Sequence, residues 1–181
     1  MQVRLRMLSV AACLVCICVG ARPQNTQWKA YSYTTDGFSA EFPSEPAIET
    51  QSVPITEAIK FDLRTYLVDS GSDGMMIGVS HFGSLVEGKD PDVLLQSGKQ
   101  GALQNTQTHL VKEKKIKLGD DPGLEFEAEN DSLHAVVRIF LANNTLYEVL
   151  VAYPVGKPAE WTNRFLDSFR VLAAVPLKPA Q

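Results

Sequence analysis

The sequence predicts an α/β domain of the α+β kind: an antiparallel β-sheet covered by helices on both faces. Three observations carry this expectation. Short runs of alternating apolar and polar residues recur along the chain with turn signals between them. Two of these runs, residues 133–142 and 145–153, are apolar on both faces, which places them in the middle of a sheet covered on both sides. Two other segments, one opening at Asp90-Pro91 and one over residues 158–169, carry helical patterning.

The first 21 residues differ from the rest. Arg4 and Arg6 give a positive start, residues 7–19 are apolar apart from Ser9, and Val19-Gly20-Ala21 supplies the small residues of a cleavage site. This is the three-part plan of a secretory signal, with cleavage before Arg22. The apolar run falls short of the roughly 20 residues that span a bilayer. An uncleaved anchor is the alternative. A lipobox at Val10-Ala11-Ala12-Cys13 is disfavoured, because most of the apolar run follows Cys13. Cleavage removes Cys13, Cys16 and Cys18, the only cysteines, so disulfides, a cysteine nucleophile and thiolate metal sites go with them. The chain has 17 Lys and Arg against 21 Asp and Glu, and loss of the leader removes two cations and no acid. That acidic balance argues against a general nucleic-acid binder. Residues 22–27 and 173–181 are read as loose ends around one domain at 28–172.

Within that domain, residues 28–33 and 38–42 alternate on either side of Asp36-Gly37, a turn signal. Pro43 and Pro46 end the second run. Residues 57–68 alternate, with Ile59, Phe61, Leu63 and Leu67 on one side and Lys60, Asp62 and Arg64 on the other. Gly71-Ser72-Asp73-Gly74 is a turn, a strand follows at 75–82, and residues 83–89 form a loop. Asp90 is placed to cap a helix with Pro91 in its first turn. Val93, Leu94, Ala102 and Leu103 supply its apolar face, and Gly98 and Gly101 either weaken it or allow close packing. Residues 109–118 and 124–130 flank Gly119-Asp120-Asp121-Pro122-Gly123. Pairing Leu118 with Leu124 across that loop sets Lys117 against Glu125, Lys115 against Glu127 and Glu113 against Glu129. It also puts Ile116 and Phe126 together on the opposite face. Asn143-Asn144 is a two-residue hairpin signal. Across it, Val137, Ile139, Leu141, Leu146 and Leu150 share one face, and Val136, Phe140, Tyr147, Val149 and Val151 the other. The second helix puts Trp161, Phe165, Leu166 and Phe169 on one side as core.

Candidate chemistry is sparse. Gly78-Val79-Ser80-His81-Phe82-Gly83 has one residue too many for a nucleophile elbow and lies on a strand, so Ser80 is not read as a nucleophile. His81, His109 and His134 are isolated, with no metal-ligand spacing. No phosphate loop or dinucleotide fingerprint is present. Asp120-Asp121 and Glu125, Glu127 and Glu129 lack calcium-loop spacing and fit strand alternation. The charge run over residues 112–117 reads as a solvated sheet face, with a docking patch as the alternative. Asn130-Asp131-Ser132 and Asn143-Asn144-Thr145 match glycosylation sequons. No catalytic, metal-binding or cofactor-binding residue is assigned, and no cofactor is expected.

Several strings, in order along the chain, resemble the PsbP-like superfamily of small exported proteins. They are Phe38-Ser39-Ala40-Glu41-Phe42-Pro43-Ser44-Glu45-Pro46, Pro122-Gly123-Leu124-Glu125-Phe126, Val137-Arg138-Ile139-Phe140-Leu141, Leu146-Tyr147 and Phe165-Leu166-Asp167-Ser168-Phe169-Arg170. The resemblance covers most of residues 28–172. It implies the PsbP-like α/β/α sandwich shared with Mog-type Ran-binding proteins, and a non-catalytic role, with no residue-specific functional motif carried over. The expectation is therefore a periplasmic or secreted, non-enzymatic binding or scaffolding domain. Its partner would be an unidentified protein of the cell envelope, with no nucleic acid bound and no membrane span once the leader is cleaved. The alternatives are a small envelope hydrolase and a small-ligand or lipid carrier.

Overall fold

The computed structural model describes residues 27–54 and 60–173. The leader over 1–21, the 22–26 stretch, Ile59 and the tail from 174 lie outside the described residues. No described helix is long and apolar enough to cross a membrane.

Among the described residues, ten strands and two helices follow in order. Strands β1 (Lys29–Tyr33) and β2 (Phe38–Phe42) form a hairpin in which Tyr33 pairs with Phe38. Then come β3 (Ala47–Pro54), β4 (Lys60–Asp69) and β5 (Gly74–His81), followed by a 3-10 turn at Gly83–Val86. Helix α1 (Pro91–Thr106) crosses over to β6 (His109–Leu118), β7 (Asp121–Glu129), β8 (Leu133–Ala142) and β9 (Thr145–Pro154). Helix α2 (Thr162–Ser168) and the two-residue β10 (Arg170–Val171) close the described chain. A seven-stranded antiparallel sheet has the order β3-β4-β5-β9-β8-β7-β6, and a three-stranded sheet the order β1-β2-β10.

Local chemistry accounts for the clearest elements. The Asp90 side chain accepts a hydrogen bond from the Asp92 N–H at 2.9 Å and Pro91 opens α1, so one free donor is satisfied and one is absent. Gln107, with φ of 53°, ends the helix in the left-handed conformation. Asn143 and Asn144 both have positive φ, 51° and 58°, as a primed two-residue turn requires, and Ala142 pairs with Thr145 across it.

The alternation over β8 and β9 divides between two cores. Val137, Ile139, Leu146 and Leu150 join Leu95 and Ala102 of α1, with Leu141 packed alongside. Val136, Phe140, Tyr147, Val149 and Val151 join Phe38, Phe42, Phe165, Leu166 and Phe169 on the other side. The layers are thus α1, the large sheet, and the small sheet with α2.

This corrects the expected sandwich with helices on both faces. The molecule is mostly β, and the second face is covered chiefly by β1, β2 and β10, which reach it because Phe38, Ala40 and Phe42 all point inward. Helix α2 spans only seven residues of the expected 158–169 segment, and its Phe165 and Leu166 are buried as core. Strands β3 and β10 have no counterpart in the sequence reading: β3 is exposed almost throughout and shows no buried alternation.

The β6–β7 register is also corrected. Leu118 pairs with Asp121, not Leu124, so the turn is Gly119-Asp120 and Asp121, Pro122 and Gly123 belong to β7. Gly123 serves close approach: a Cβ there would lie 2.6 Å from Phe140 Cδ1 and 2.8 Å from the Ile139 carbonyl oxygen. The three-residue shift exchanges the faces of the charged run. Lys114 now faces Glu125 and Lys112 faces Glu127, while Ile116 and Phe126 lie on opposite faces. A β-bulge between Leu110 and Lys112 shifts the register again near the start of β6.

Two glycines give a stability test. Gly101 in α1 has nothing within 4 Å of an added Cβ. Gly101→Ala is expected to raise stability by about 0.5–1 kcal/mol through helix propensity. Gly123→Ala is expected to lower it by about 1–3 kcal/mol through overpacking. Urea midpoints of the two variants measure both, and the signs must be opposite.

Candidate functional site

The most developed polar constellation lies where the β1–β2 turn meets the large sheet. Asp36 in that turn is 3% exposed. Its carboxylate accepts from Arg64 Nη1 at 2.9 Å, from the Tyr66 hydroxyl and from His81 Nε2 at 3.0 Å. Because a carboxylate only accepts, Nε2 carries the proton; Nδ1 lies within hydrogen-bond distance of the Thr145 hydroxyl, at 3.1 Å. The Tyr147 hydroxyl donates to the Asp36 carbonyl at 3.0 Å. Arg64 and Tyr66 come from β4, His81 from β5, and Thr145 and Tyr147 from β9. Asp36 therefore ties the small sheet to three strands of the large one, β4 and β5 through its carboxylate and β9 through its carbonyl. Burial alone raises the Asp36 carboxyl, but the hydrogen bonds from Tyr66, His81 and Arg64 outweigh it and hold the group below the ordinary aspartate range. Burial and the Asp36 charge push the Tyr66 phenol upward.

The other ionic groups join layers in the same way. Lys99 of α1, itself buried, donates to Glu113 of β6 at 2.6 Å, and Lys115 pairs with Asp92 at the start of α1. Arg138 of β8 bridges Glu125 Oε2 at 2.6 Å and Asp167 Oδ1 of α2 at 2.7 Å, while Lys114 adds a bond to Glu125 at 2.7 Å. Burial raises the Glu125 carboxyl, but Lys114 and Arg138 prevail and hold it low. Arg164 Nε donates to Glu41 at 2.8 Å and its guanidinium lies 4.7 Å from the Trp28 ring, fastening α2 to the first hairpin.

The residues weighed from sequence are not brought together. Ser80 and His81 are consecutive on β5 and so point to opposite faces: Ser80 is buried on the α1 side, and His81 reaches Asp36 on the other. His109 pairs with Glu129 across β6 and β7. His134 lies 3.2 Å from Glu129 Oε2 and stacks on Tyr153 at a centroid distance of 5.2 Å. Among the described residues, no group of three His, Cys, Asp or Glu is placed to hold a metal.

The Asp36 network escaped sequence reasoning because its members span positions 36–147 and carry no local spacing. The Asp36-Gly37 turn was its only visible mark. Glu148 was missed as well. It sits on the apolar α1 face of β9, opposite Gly78 of β5 and Ile139 of β8. Leu63 Cδ1 and Met76 Cε crowd the space over Gly78. Burial without a cationic partner pushes the Glu148 carboxyl up to about 7.

No family model and no curated protein matches the chain. Among solved structures it is similar to CyanoP, the cyanobacterial PsbP of Synechocystis sp. PCC 6803, with a TM-score of 0.51 at 13% identity over 85% of this chain and 96% of that one. A Bacteroides thetaiotaomicron protein aligns with a TM-score of 0.42 at 17% identity, over 80% of this chain and 48% of that one. The chain therefore has a PsbP-like fold.

Two pH-dependent outcomes follow from the carboxylates. The Asp36 pKa is depressed on folding, so its stabilisation is present above the unfolded value and is lost as pH falls through the lower folded value. Asp36→Asn is expected to cost about 3 kcal/mol at neutral pH, because it strands Arg64 and His81, and to flatten the acid limb of the stability curve. Denaturant titrations between acid and neutral pH check both. Glu148 behaves in the opposite sense. Burial raises its folded pKa from the ordinary glutamate range to about 7, so stability falls as pH rises through that window. Glu148→Gln is expected to gain up to about 3 kcal/mol at alkaline pH, an upper limit because solvent reaches part of the group, and to gain little below the unfolded pKa. Identical pH profiles for the two chains would refute this.

Proposed function

We propose that the chain is a non-enzymatic binding or scaffolding domain of the cell envelope, exported by its leader, and that it takes an extended segment of a protein partner along the β3 edge. The observation that carries this reading is the difference between the two edges of the large sheet. Strand β3 runs for eight residues, almost all exposed, without a single Lys or Arg. Ile48 on it is 52% exposed, and Leu67 on the adjoining β4 is 40% exposed. The opposite edge, β6, carries Lys112, Lys114, Lys115 and Lys117, the charged pattern that discourages strand addition. An exposed edge whose only charged side chain is Glu49 offers backbone hydrogen bonds for strand addition and apolar side chains for grip.

Two further points support the non-catalytic part. The polar side chains with the right chemistry for catalysis are engaged in joining layers, Asp36 above all. Ser80 and His81 face away from each other and form no nucleophile–base pair. The PsbP-like fold agrees, since the resemblance read from sequence implies non-catalytic relatives.

The test places a photo-crosslinking residue at Thr50 in the purified protein, exposes it to envelope extract and identifies the joined segment by mass spectrometry. A synthetic peptide of that segment is expected to bind and to protect β3 amides from hydrogen exchange. Ile48→Lys is expected to abolish binding while changing stability by less than about 0.5 kcal/mol. Peptide protection on another strand, or binding untouched by Ile48→Lys, refutes the edge. A robust hydrolase or esterase turnover lost in Ser80→Ala or His81→Ala refutes the non-enzymatic reading.

A further inference from the structure

The connection from β9 into α2 leaves a cleft of about 350 Å³ against the face of β7, β8 and β9. Strand register puts Glu125 and Glu127 of β7, Arg138 of β8 and Tyr153 of β9 on that one face. Pro158, Ala159, Glu160 and Asn163 complete the lining from the connection and the first turn of α2. The charges on the strands are spent on one another: Glu125 on Lys114 and Arg138, and Glu127 on Lys112. Four other groups keep hydrogen-bonding capacity. Tyr153 is 9% exposed, and its hydroxyl has no hydrogen-bond partner among the described residues. No fully buried side-chain oxygen among them lacks a partner, so that hydroxyl opens into the cleft the residue lines. Arg138 uses Nε on Glu125 and Nη1 on Asp167, which leaves its Nη2 without a partner among the described residues. Glu160 and Asn163 make no ion pair or side-chain hydrogen bond there either.

We propose that this cleft binds a neutral monosaccharide. Its volume lies at the lower end of the range for small-molecule sites and suits one sugar ring. A hydroxyl both donates and accepts. Neighbouring sugar hydroxyls can therefore accept from Arg138 Nη2 and the Asn163 amide and donate to the Glu160 carboxylate, and the Tyr153 hydroxyl serves in either role. Pro158 and Ala159 offer a small apolar surface to the C–H face of the ring. An anion would face Glu127 and Glu160, and a cation would face Arg138 and Lys114, so neither sign of charge gains from the cleft. A purely apolar ligand would strip water from four polar groups and bond none of them. The cleft lies on the far side of the large sheet from α1 and away from β3, so it stands or falls independently of strand addition at that edge.

The test titrates the purified protein with glucose, galactose, mannose and N-acetylglucosamine, each to tens of millimolar, and follows amide NMR shifts. At least one is expected to give saturable shifts at residues 136–138, 153 and 159–163, with a dissociation constant on the order of millimolar. Glucosamine and glucuronate, charged forms of the same ring, are expected to bind more weakly than the best neutral sugar. Tyr153→Phe removes only the hydroxyl and is expected to weaken binding about fivefold, and Asn163→Ala about threefold. Neither group bonds to the protein, so the urea midpoints of both variants are expected to stay unchanged and to report that they are folded. Gln100→Ala on α1, across the sheet, is expected to change nothing. No saturation with any of the four sugars, shifts centred elsewhere, a charged sugar binding as tightly as the best neutral one, or unaltered affinity in Tyr153→Phe each overturns the proposal.

Discussion

Strands β8 and β9 carry apolar side chains on both faces, and neither face can be left to water. Each buried Val, Leu or Phe there is worth about 1.5–3 kcal/mol relative to exposure. Covering only one side of Val136, Phe140, Val149 and Val151 on one face, or of Val137, Ile139, Leu146 and Leu150 on the other, would forfeit a large part of the stability of a domain this size. The chain meets that demand with unequal layers. The crossover from β5 to β6 supplies α1 for one face. The other receives a hairpin from one end of the domain and α2 with β10 from the other, so residues far apart in sequence converge on Phe38, Phe165 and Phe169.

Apolar contact between layers is not directional, and the ionic groups add direction to it. Asp36 fixes the first hairpin against β4, β5 and β9, Lys99 and Lys115 fix α1 against β6, and Arg138 fixes α2 against β7 and β8. Buried and half-buried pairs of this kind contribute modestly in net terms, because desolvation offsets their attraction. Removing one partner is costly all the same, since the other is left charged and unpaired. Glu148 shows the contrast: a carboxyl on a strand face with no cation beside it has its pKa raised toward neutrality.

Unequal covers also decide where surface is left open. Strand β3 lies beyond the reach of α1 and stands as an exposed edge. The proposed recognition surface, an edge free of Lys and Arg for an extended peptide, is thus a consequence of how far each layer extends.

Local signals in the sequence determined much of the fold. The Asp90-Pro91 start of α1, the Asn143-Asn144 turn and the two-faced apolar pattern of β8 and β9 are written in neighbouring residues, because capping, positive φ and strand alternation act over a few positions. The likeness to PsbP was legible in ordered short strings as well. The β6–β7 register was not. Asp121-Pro122-Gly123 resembles a turn locally, and only the ring of Phe140 packed against Gly123 explains why these residues belong in a strand. The nature of the second cover was not legible either, since helix and small sheet both hide apolar side chains and their choice depends on which distant segments can reach the face. The Asp36 network is tertiary for the same reason: its donors come from three strands, and no spacing in the chain records that they meet at one residue.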